Sequence, residues 1–482
     1  MASTAAAPAL PPVRRVLFVT GKLAEPALRR TLEGMARPFA ADVAVLKITV
    51  AALMTTPWIA RFLTVPPGTD LILIPGLCEG DPAVITERFG VPAMKGPKDL
   101  REIPQFFGQD GPPPDYGRYE IEILAEINNA PRLPRAEVRQ MAEYYRASGA
   151  DIIDIGCTPG LAYPELGDVV RELVGAGFRV SIDSFDRDEI LRAVEAGASM
   201  VLSINGSNLP VAEALRGTGA SAVVVPDLGE GIDTLDRSLS ALERWGVPYF
   251  IDPIVEPIGF GFMASLERYA EVARRYPGKP QLMGIGNLTE LTAADSTGVN
   301  AILIAICQEL GVRAVLTTEV IPWARGAVRE IDIARRLMYH AVTNRTPPKR
   351  LDDRLVTVKD PRILEYTEAE LRALQAQVTD PNFRIFTDRD VITVFNHERF
   401  IRGTDIQEIF DQLGVDEATH AFYLGKELMK AKIAITLGKT YRQEGQLSWG
   451  YLTPPEEPTR PHPRVKLTQR SDASRRRRAR DD

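Results

Sequence analysis

The sequence predicts an α/β protein built on a central (β/α)8 TIM barrel, with a small N-terminal α/β parallel-sheet domain before it and a C-terminal α+β appendage after it. Three observations predict this. Between residues 121 and 343, eight short apolar runs alternate with segments whose apolar residues recur at helical spacing, the pattern of parallel strands joined by right-handed crossovers. Those eight units fill about the length of one such barrel. The beat also breaks on both sides, at a Pro- and Gly-rich stretch from Gln109 to Tyr116 and again beyond Pro347. A doubly wound open sheet is the competing arrangement, but it rarely keeps so even a count.

The divisions that follow are a disordered lead-in over 1–12, an α/β domain over 13–108, the barrel over 118–345, the appendage over 350–452 and a disordered basic tail over 453–482. In the first domain, Val16 to Val19, Asp42 to Ile48 and Asp70 to Gly76 read as strands, with a helix from Glu25 to Met35. No Gly-x-Gly-x-x-Gly turn follows the first strand, so packing or an interface is a better reading there than a nucleotide site. The barrel strands fall at Ile121 to Asn128, Ile152 to Gly156, Val180 to Asp183, Met200 to Asn205, Ala222 to Asp227, Pro248 to Asp252, Gln281 to Gly286 and Ala314 to Thr318, with a last helix from Ala324 to Ala341. In the appendage, Phe383 to Phe386 and Val391 to Phe395 read as paired strands, and Asp405 to Leu413 and Ala418 to Leu437 as helices. The tail ends in Arg475 to Arg478, a run better read as solvated than as an anion site.

Composition narrows the function. A chain of 482 residues, 45% hydrophobic and 25% charged, can bury a large core, and a net charge of -6 gives no general drive toward nucleic acid. The longest apolar run, around Val299 to Cys307, carries Asn300 and is far short of the roughly 20 residues a membrane span needs. The first 15 residues lack a secretory pattern, and Cys78, Cys157 and Cys307 are too scattered for a disulfide framework, so a cytoplasmic location is expected. His340, His397, His420 and His462 include no pair at helical metal spacing. No zinc and no nucleotide cofactor are expected.

In a barrel of this kind the C-terminal strand ends converge on one mouth. The residues there are Asn128, Asn129, Cys157, Thr158, Asp183, Asn205, Asp227, Asp252, Asn287 and Glu319. No lysine ends a strand and no Ser/His/Asp set is present, which leaves Schiff-base and acyl-enzyme chemistry without support. A ring of amides and carboxylates suits a flat heterocycle with an amino-pyrimidinone edge: its N–H donors meet a carboxylate and its carbonyl meets an amide. Any one of these residues could simply cap a helix. Asp183, Asn205 and Asp252 on three strands facing one mouth make that reading hard to sustain for all three.

Gly149-Ala-Asp-Ile-Ile-Asp-Ile-Gly156, Val180-Ser-Ile-Asp-Ser184, Ile204-Asn205 and Ile251-Asp-Pro253 followed by Gly259-Phe-Gly261 resemble the ordered signature of dihydropteroate synthase. The resemblance covers about Ile121 to Thr343 of the pterin-binding barrel superfamily, which also includes methyltetrahydrofolate:corrinoid methyltransferases. The three-part plan is similar to the dihydropteroate synthase-related proteins of archaea and bacteria that use tetrahydromethanopterin. The resemblance implies that Asp183, Asn205 and Asp252 hold a pterin, with Asp227 and Asn287 beside them. It also implies that Asn128 meets diphosphate and a magnesium ion, that the pocket takes pterin and arylamine substrates, and that the protein is a homodimer.

The chain departs from the synthases in one direction. The loop at Ile127-Asn-Asn-Ala-Pro131 continues without the usual Asp-Ser-Phe, and Gly156-Cys-Thr-Pro-Gly160 is short and lacks an arginine. Gly284-Ile-Gly-Asn-Leu288 stands where Ser-Arg-Lys is found, and Thr317-Thr-Glu319 where Arg-x-His is found. By this resemblance every cation that the synthases aim at diphosphate or stack over the ring is missing, and losing such stabilisation costs several kcal/mol. Arg325 and Arg329, just after the eighth strand, are the nearest replacements. Three functions follow from the resemblance. A synthase would condense a hydroxymethyl-dihydropterin diphosphate with an arylamine in tetrahydromethanopterin or folate biosynthesis, Asp183 stabilising the developing cation. A methyl-pterin-dependent methyltransferase of the corrinoid type would use Asn287 to polarise the pterin nitrogen. A non-catalytic pterin-binding or assembly protein would keep the pocket without turnover.

Overall fold

The first sheet is parallel, and its two central runs, Val16 to Val19 and Leu71 to Ile74, are apolar and buried on both faces. In this computed structural model, β1 (Arg15–Gly21) pairs with β2 (Ala40–Leu46) and with β3 (Leu71–Ile74), and β3 pairs with β4 (Ala93–Lys95), in the order β2-β1-β3-β4. The helices are α1 (Glu25–Glu33), α2 (Thr56–Phe62), α3 (Ala83–Phe89) and the short α4 (Ile103–Phe106). Val16 and Phe18 pack with Leu28 and Leu32 of α1, while Leu17 and Val19 pack with Ile59 of α2 and Ile85 of α3. β4, three residues of no regular alternation, gave no strand signal. The structure describes residues 13–455 except 34, 36–38, 98–99, 101–102, 108–115, 350 and 362. The expected lead-in, most of the expected linker and nearly all of the expected tail lie outside the described residues.

All eight expected barrel strands form. They are β5 (Glu122–Ile127), β6 (Ile152–Gly156), β7 (Arg179–Asp183), β8 (Met200–Ile204), β9 (Ser221–Val224), β10 (Tyr249–Ile251), β11 (Leu282–Gly284) and β12 (Ala314–Thr317). Seven parallel pairings run β10-β9-β8-β7-β6-β5-β12-β11. The ring closes at Ile251, which bridges Gln281 just before β11 and donates its N–H to Pro280 O at 3.0 Å. The helices are α5 (Arg135–Ser148), α6 (Leu166–Gly175), α7 (Arg187–Glu195), α8 (Leu209–Glu213), α9 (Leu235–Trp245), α10 (Phe262–Arg275), α11 (Gly286–Glu290), α12 (Ser296–Leu310) and α13 (Ala327–Asn344). The last helix begins three residues later than the sequence indicates, because Pro322–Ala324 forms a separate 3-10 turn.

At the N-terminal end of the barrel, Arg335 of α13 is buried and tied to Asp332, Asp151, Ile121 O and Gly149 O. Gly149 adopts φ +112, and a Cβ there would lie 2.6 Å from Asp332 Cβ, so this turn requires glycine.

The chain divides into two compact units, Met1–Leu355 and Val356–Asp482. The second contains α14 (Glu368–Gln375), an antiparallel sheet of β13 (Arg384–Asp388), β14 (Val391–Phe395) and β15 (Phe400–Gly403), then α15 (Ile406–Leu413) and α16 (Ala418–Leu437). The hairpin and both long helices match expectation. The sequence reading omitted α14 and β15. Thr367-Glu-Ala-Glu370 is a readable capping box, and both of its reciprocal bonds form.

Candidate functional site

Strand alternation sorts the barrel's side chains. Leu124, Ile152, Met200, Leu202, Val223 and Leu282 are part of a plug inside the barrel, whereas their outward neighbours join the core beneath the helices. Toward the C-terminal ends, the inward positions turn acidic. Glu126 on β5 pairs with Asp154 on β6, which pairs with Ser181 on β7, and Gly156 pairs with Asp183. Asp252 follows inward Phe250 on β10.

These carboxyls are held mostly by neutral donors. Asp154 is fully buried; its Oδ1 accepts from Ser181 Oγ at 2.6 Å and its Oδ2 has no partner. Burial, then the charges of Asp183 and Glu126, hold its pKa well above the carboxylate range. Burial also raises Asp183, against the hydroxyl of Ser203, which donates to Oδ1 at 3.1 Å. Glu126 is pushed up to about 7 by burial and by Asp183 and Glu290, against Asn128 Nδ2, which donates to Oε1 at 2.9 Å. A Cβ on Gly156 would sit 2.5 Å from that same Oε1, so glycine makes room for the acid. Asp252 Oδ1 accepts from Tyr269 OH at 2.6 Å and from Ile254 N at 2.8 Å. Burial pushes Asp252 up to about 6 against those two donors and Arg268. Among the described residues, none of the four carboxyls forms an ion pair. Burial, reinforced at Glu126 and Asp154 by neighbouring carboxyls, makes each of these groups easier to protonate than a solvated carboxylate, which suits a ligand offering both N–H donors and acceptors.

Three non-glycine residues at this end have positive φ: Asn129 at 53°, Ser203 at 62° and Ile254 at 63°. A β-branched residue in that region is an outlier, and such strain gathers at ligand sites. Ile254 is held there on both sides, its N–H on Asp252 and its carbonyl accepting from Arg268 Nη2 at 2.7 Å.

The other residues singled out by sequence are distributed as follows. Asn205 is buried; its Oδ1 accepts from Ser207 N at 2.9 Å and Ser207 Oγ at 2.6 Å. Asp227 is engaged in building loops, accepting from Gly206 N at 2.6 Å with Arg237 at 3.6 Å, so it does not present a free carboxylate. Asn287 is exposed in α11, the short helix just after β11, and donates to Val255 O at 3.3 Å. Burial pushes the Cys157 thiol up, which makes it a poor nucleophile. Thr158 Oγ1 donates to Asn129 Oδ1 at 3.0 Å. Asn128 accepts from Thr318 Oγ1 while donating to Glu126. Among the described residues, no three His, Cys, Asp or Glu side chains are arranged to hold a metal. The amide oxygen of Asn128, the atom a magnesium ion would take, is engaged by Thr318 Oγ1.

Arg325 is exposed and Arg329 partly buried. Glu319, grouped with the mouth residues, accepts from Val328 N at 3.0 Å and from Tyr144 OH at 2.9 Å.

Sequence reasoning missed Glu126, Asp154, Ser203 and Tyr269. The first two had a signal: an acid at the inward position of an otherwise apolar strand, two residues before its end. Ser203 and Tyr269 had none, since one depends on a strand irregularity and the other lies on α10.

The chain resembles dihydropteroate synthases. Similar solved structures include the Yersinia pestis enzyme with a pterine-sulfa conjugate, 19% identical with a TM-score of 0.37, covering 46% of this chain and 95% of that one. The Coxiella burnetii enzyme in complex with pteroic acid is 16% identical with a TM-score of 0.37, over 46% and 93%. The Xanthomonas albilineans enzyme with 4-aminobenzoic acid is 18% identical with a TM-score of 0.39, over 46% and 93%. Residues 14–98 match a family of unknown function, DUF6513, and residues 382–444 match the family PterinBD-DUF4346. The latter stretch lies in the second unit. An uncharacterized protein of Methanocaldococcus jannaschii is 27% identical over 526 aligned positions, covering 90% of this chain and 99% of the relative. Among the described residues, no helix is long and apolar enough to cross a membrane.

Proposed function

We propose that the barrel mouth binds a pterin and that the protein is a transferase acting on it. The observation that carries this reading is the set Asp183, Asn205 and Asp252: two carboxyls and an amide at the C-terminal ends of three strands of one barrel. Asp252, whose pKa burial pushes up to about 6, accepts N–H groups of the amino-pyrimidinone edge. Asn205 Nδ2 donates to the ring carbonyl. Asp183 lies where positive charge on the ring would be stabilised.

The reaction we favour is condensation of a hydroxymethyl-dihydropterin diphosphate with an arylamine, in tetrahydromethanopterin or folate biosynthesis. The C–O bond to diphosphate breaks, the exocyclic methylene becomes electrophilic, the neutral amine forms the new C–N bond, and the proton it loses leaves with solvent or a mouth carboxylate. Arg325 is the cation we assign to the leaving diphosphate. A second reading, methyl transfer from a methyl-pterin with Asn287 near the reactive nitrogen, is favoured by the absence, among the described residues, of an ion pair at any of the four inward carboxyls.

Product analysis by mass spectrometry tests the choice. Incubation with pterin diphosphate and arylamine should give the condensed product and free diphosphate. Demethylation of a methyl-pterin with an added corrinoid, and no condensation, would establish the second reading instead. Absence of dihydropterin binding in calorimetry would reject both.

A further inference from the structure

The fourth barrel strand does not keep its alternation. Met200 and Leu202 face the interior plug, so strict alternation would turn Ile204 inward and Asn205 out among the helices. The pairing with β9 instead slips: Val201 faces Ala222, yet Ile204 faces Val224, so one extra residue of β8 is accommodated between them. Ile204 and Val224 both lie in the outer core. Ser203 takes up the irregularity, at φ +62. Asn208 clamps the insertion, its Nδ2 donating to Ser203 O at 3.1 Å and its Oδ1 accepting from Asn205 N at 2.8 Å.

We propose that Ser203 is a positioning residue of the mouth: the insertion aims its hydroxyl at Asp183 and re-phases the strand so that Asn205 faces the ligand. Ser203 Oγ donates to Asp183 Oδ1 and leaves Oδ2 to the ligand. Ser207 takes up Asn205 Oδ1 and leaves Nδ2 to a ligand carbonyl. Bulges of this kind re-aim side chains beside binding sites, and here one bulge orients two of them. A serine in the left-handed region costs stability that glycine would not, so the side chain is kept for its hydroxyl.

The proposal rests on the pterin reading, and three variants separate the two. Ser203→Gly removes both the hydroxyl and the conformational cost. Ser203→Ala removes only the hydroxyl, and Ser203→Thr keeps the hydroxyl while adding a branch at positive φ. Calorimetric Kd for a dihydropterin should rise about tenfold in the Gly and Ala variants and hold within about twofold in the Thr variant. Melting temperatures should run in a different order, Gly above Ala by roughly 2–4 °C and Thr lowest. Affinity would then follow the hydroxyl while stability follows the backbone, a split that a purely structural serine cannot produce. Wild-type affinity in the Gly and Ala variants, or affinity falling in step with melting temperature across all three, would overturn the role of Ser203 alone. A folded wild type that binds no dihydropterin would reject the pterin reading and this proposal with it.

Discussion

Glu319 accepts the backbone N–H of Val328 at 3.0 Å, so the first turn of the helix that follows the last barrel strand already holds an anion. Helix N-termini attract phosphate through free N–H groups and the helix dipole. Here a carboxylate occupies that place, and a diphosphate arriving beside it meets like charge. The exposed Arg325 is then the group that can offset the repulsion. Under the synthase reading, Arg325→Ala should lower turnover of a pterin diphosphate by about 10² while hardly changing affinity for a phosphate-free pterin. Diphosphate release is the measurement. Equal rates would remove Arg325 from the mechanism, and no release by wild type with any arylamine would favour methyl transfer.

The same contact makes a stability expectation. Glu319→Ala leaves the Val328 N–H without its acceptor and frees Tyr144 OH, which should cost about 1 kcal/mol in urea denaturation, a typical loss for a capping group. An unchanged midpoint would mean that water replaces the carboxylate at no cost.

Pterin affinity should depend most on the residues that meet the ring. Asp252→Ala and Asn205→Ala are each expected to weaken dihydropterin binding by about 2–4 kcal/mol, because truncation leaves buried ring groups unpaired. Calorimetry on the folded variants checks this. Undiminished affinity in either would show that the ring lies elsewhere.

The barrel was legible because its strands are short apolar runs that each stop on a polar residue, and Ile152 to Gly156 needed no adjustment. Ranges slipped by up to three residues where proline or a 3-10 turn intervenes, as before α13. The mouth was legible only at its rim: strand-end residues such as Asp183 and Asp252 announce themselves. Glu126 and Asp154 sit one rung deeper and require tracking which face of each strand turns inward. Ser203 was not legible at all, because alternation cannot reveal where a strand will break it. Asp227 is also a strand-end acid, but its partners, Gly206 in the loop after β8 and Arg237 on α9, are not visible in the strand pattern.

At the far end of the barrel, Gly149→Ala tests the packing that locks α13 in place. The new Cβ would lie 2.6 Å from Asp332 Cβ at a φ of +112, and Asp332 is the partner of buried Arg335. Displacing it disturbs a buried ion pair and adds backbone strain, so a loss of about 3 kcal/mol or more is expected in urea denaturation. A loss below about 1 kcal/mol would mean that the turn relaxes without disturbing the pair.

Asp252 sets an expected pH dependence of opposite sign to that of an ordinary surface carboxylate. Burial raises its pKa from 3.8 to about 6, with Tyr269, the Ile254 N–H and Arg268 pulling the other way. The folded protein therefore binds this proton more tightly than the unfolded chain does. The stability it contributes is fully present below pH 3.8 and is lost as pH rises through about 6. Asp252→Asn, which cannot ionise, should be more stable than wild type by roughly 2 kcal/mol near pH 7.5, with the difference closing near pH 4. Ligand binding runs the other way, since only the ionised carboxylate accepts the ring's N–H groups. Wild-type affinity should fall about tenfold per unit as pH drops below about 6, and the Asn variant should bind weakly without that limb. Thermal melts and calorimetry at matched pH read both effects. A stability difference that does not change with pH would mean that Asp252 is not desolvated as described, and a flat wild-type affinity across that range would remove its carboxylate from pterin recognition.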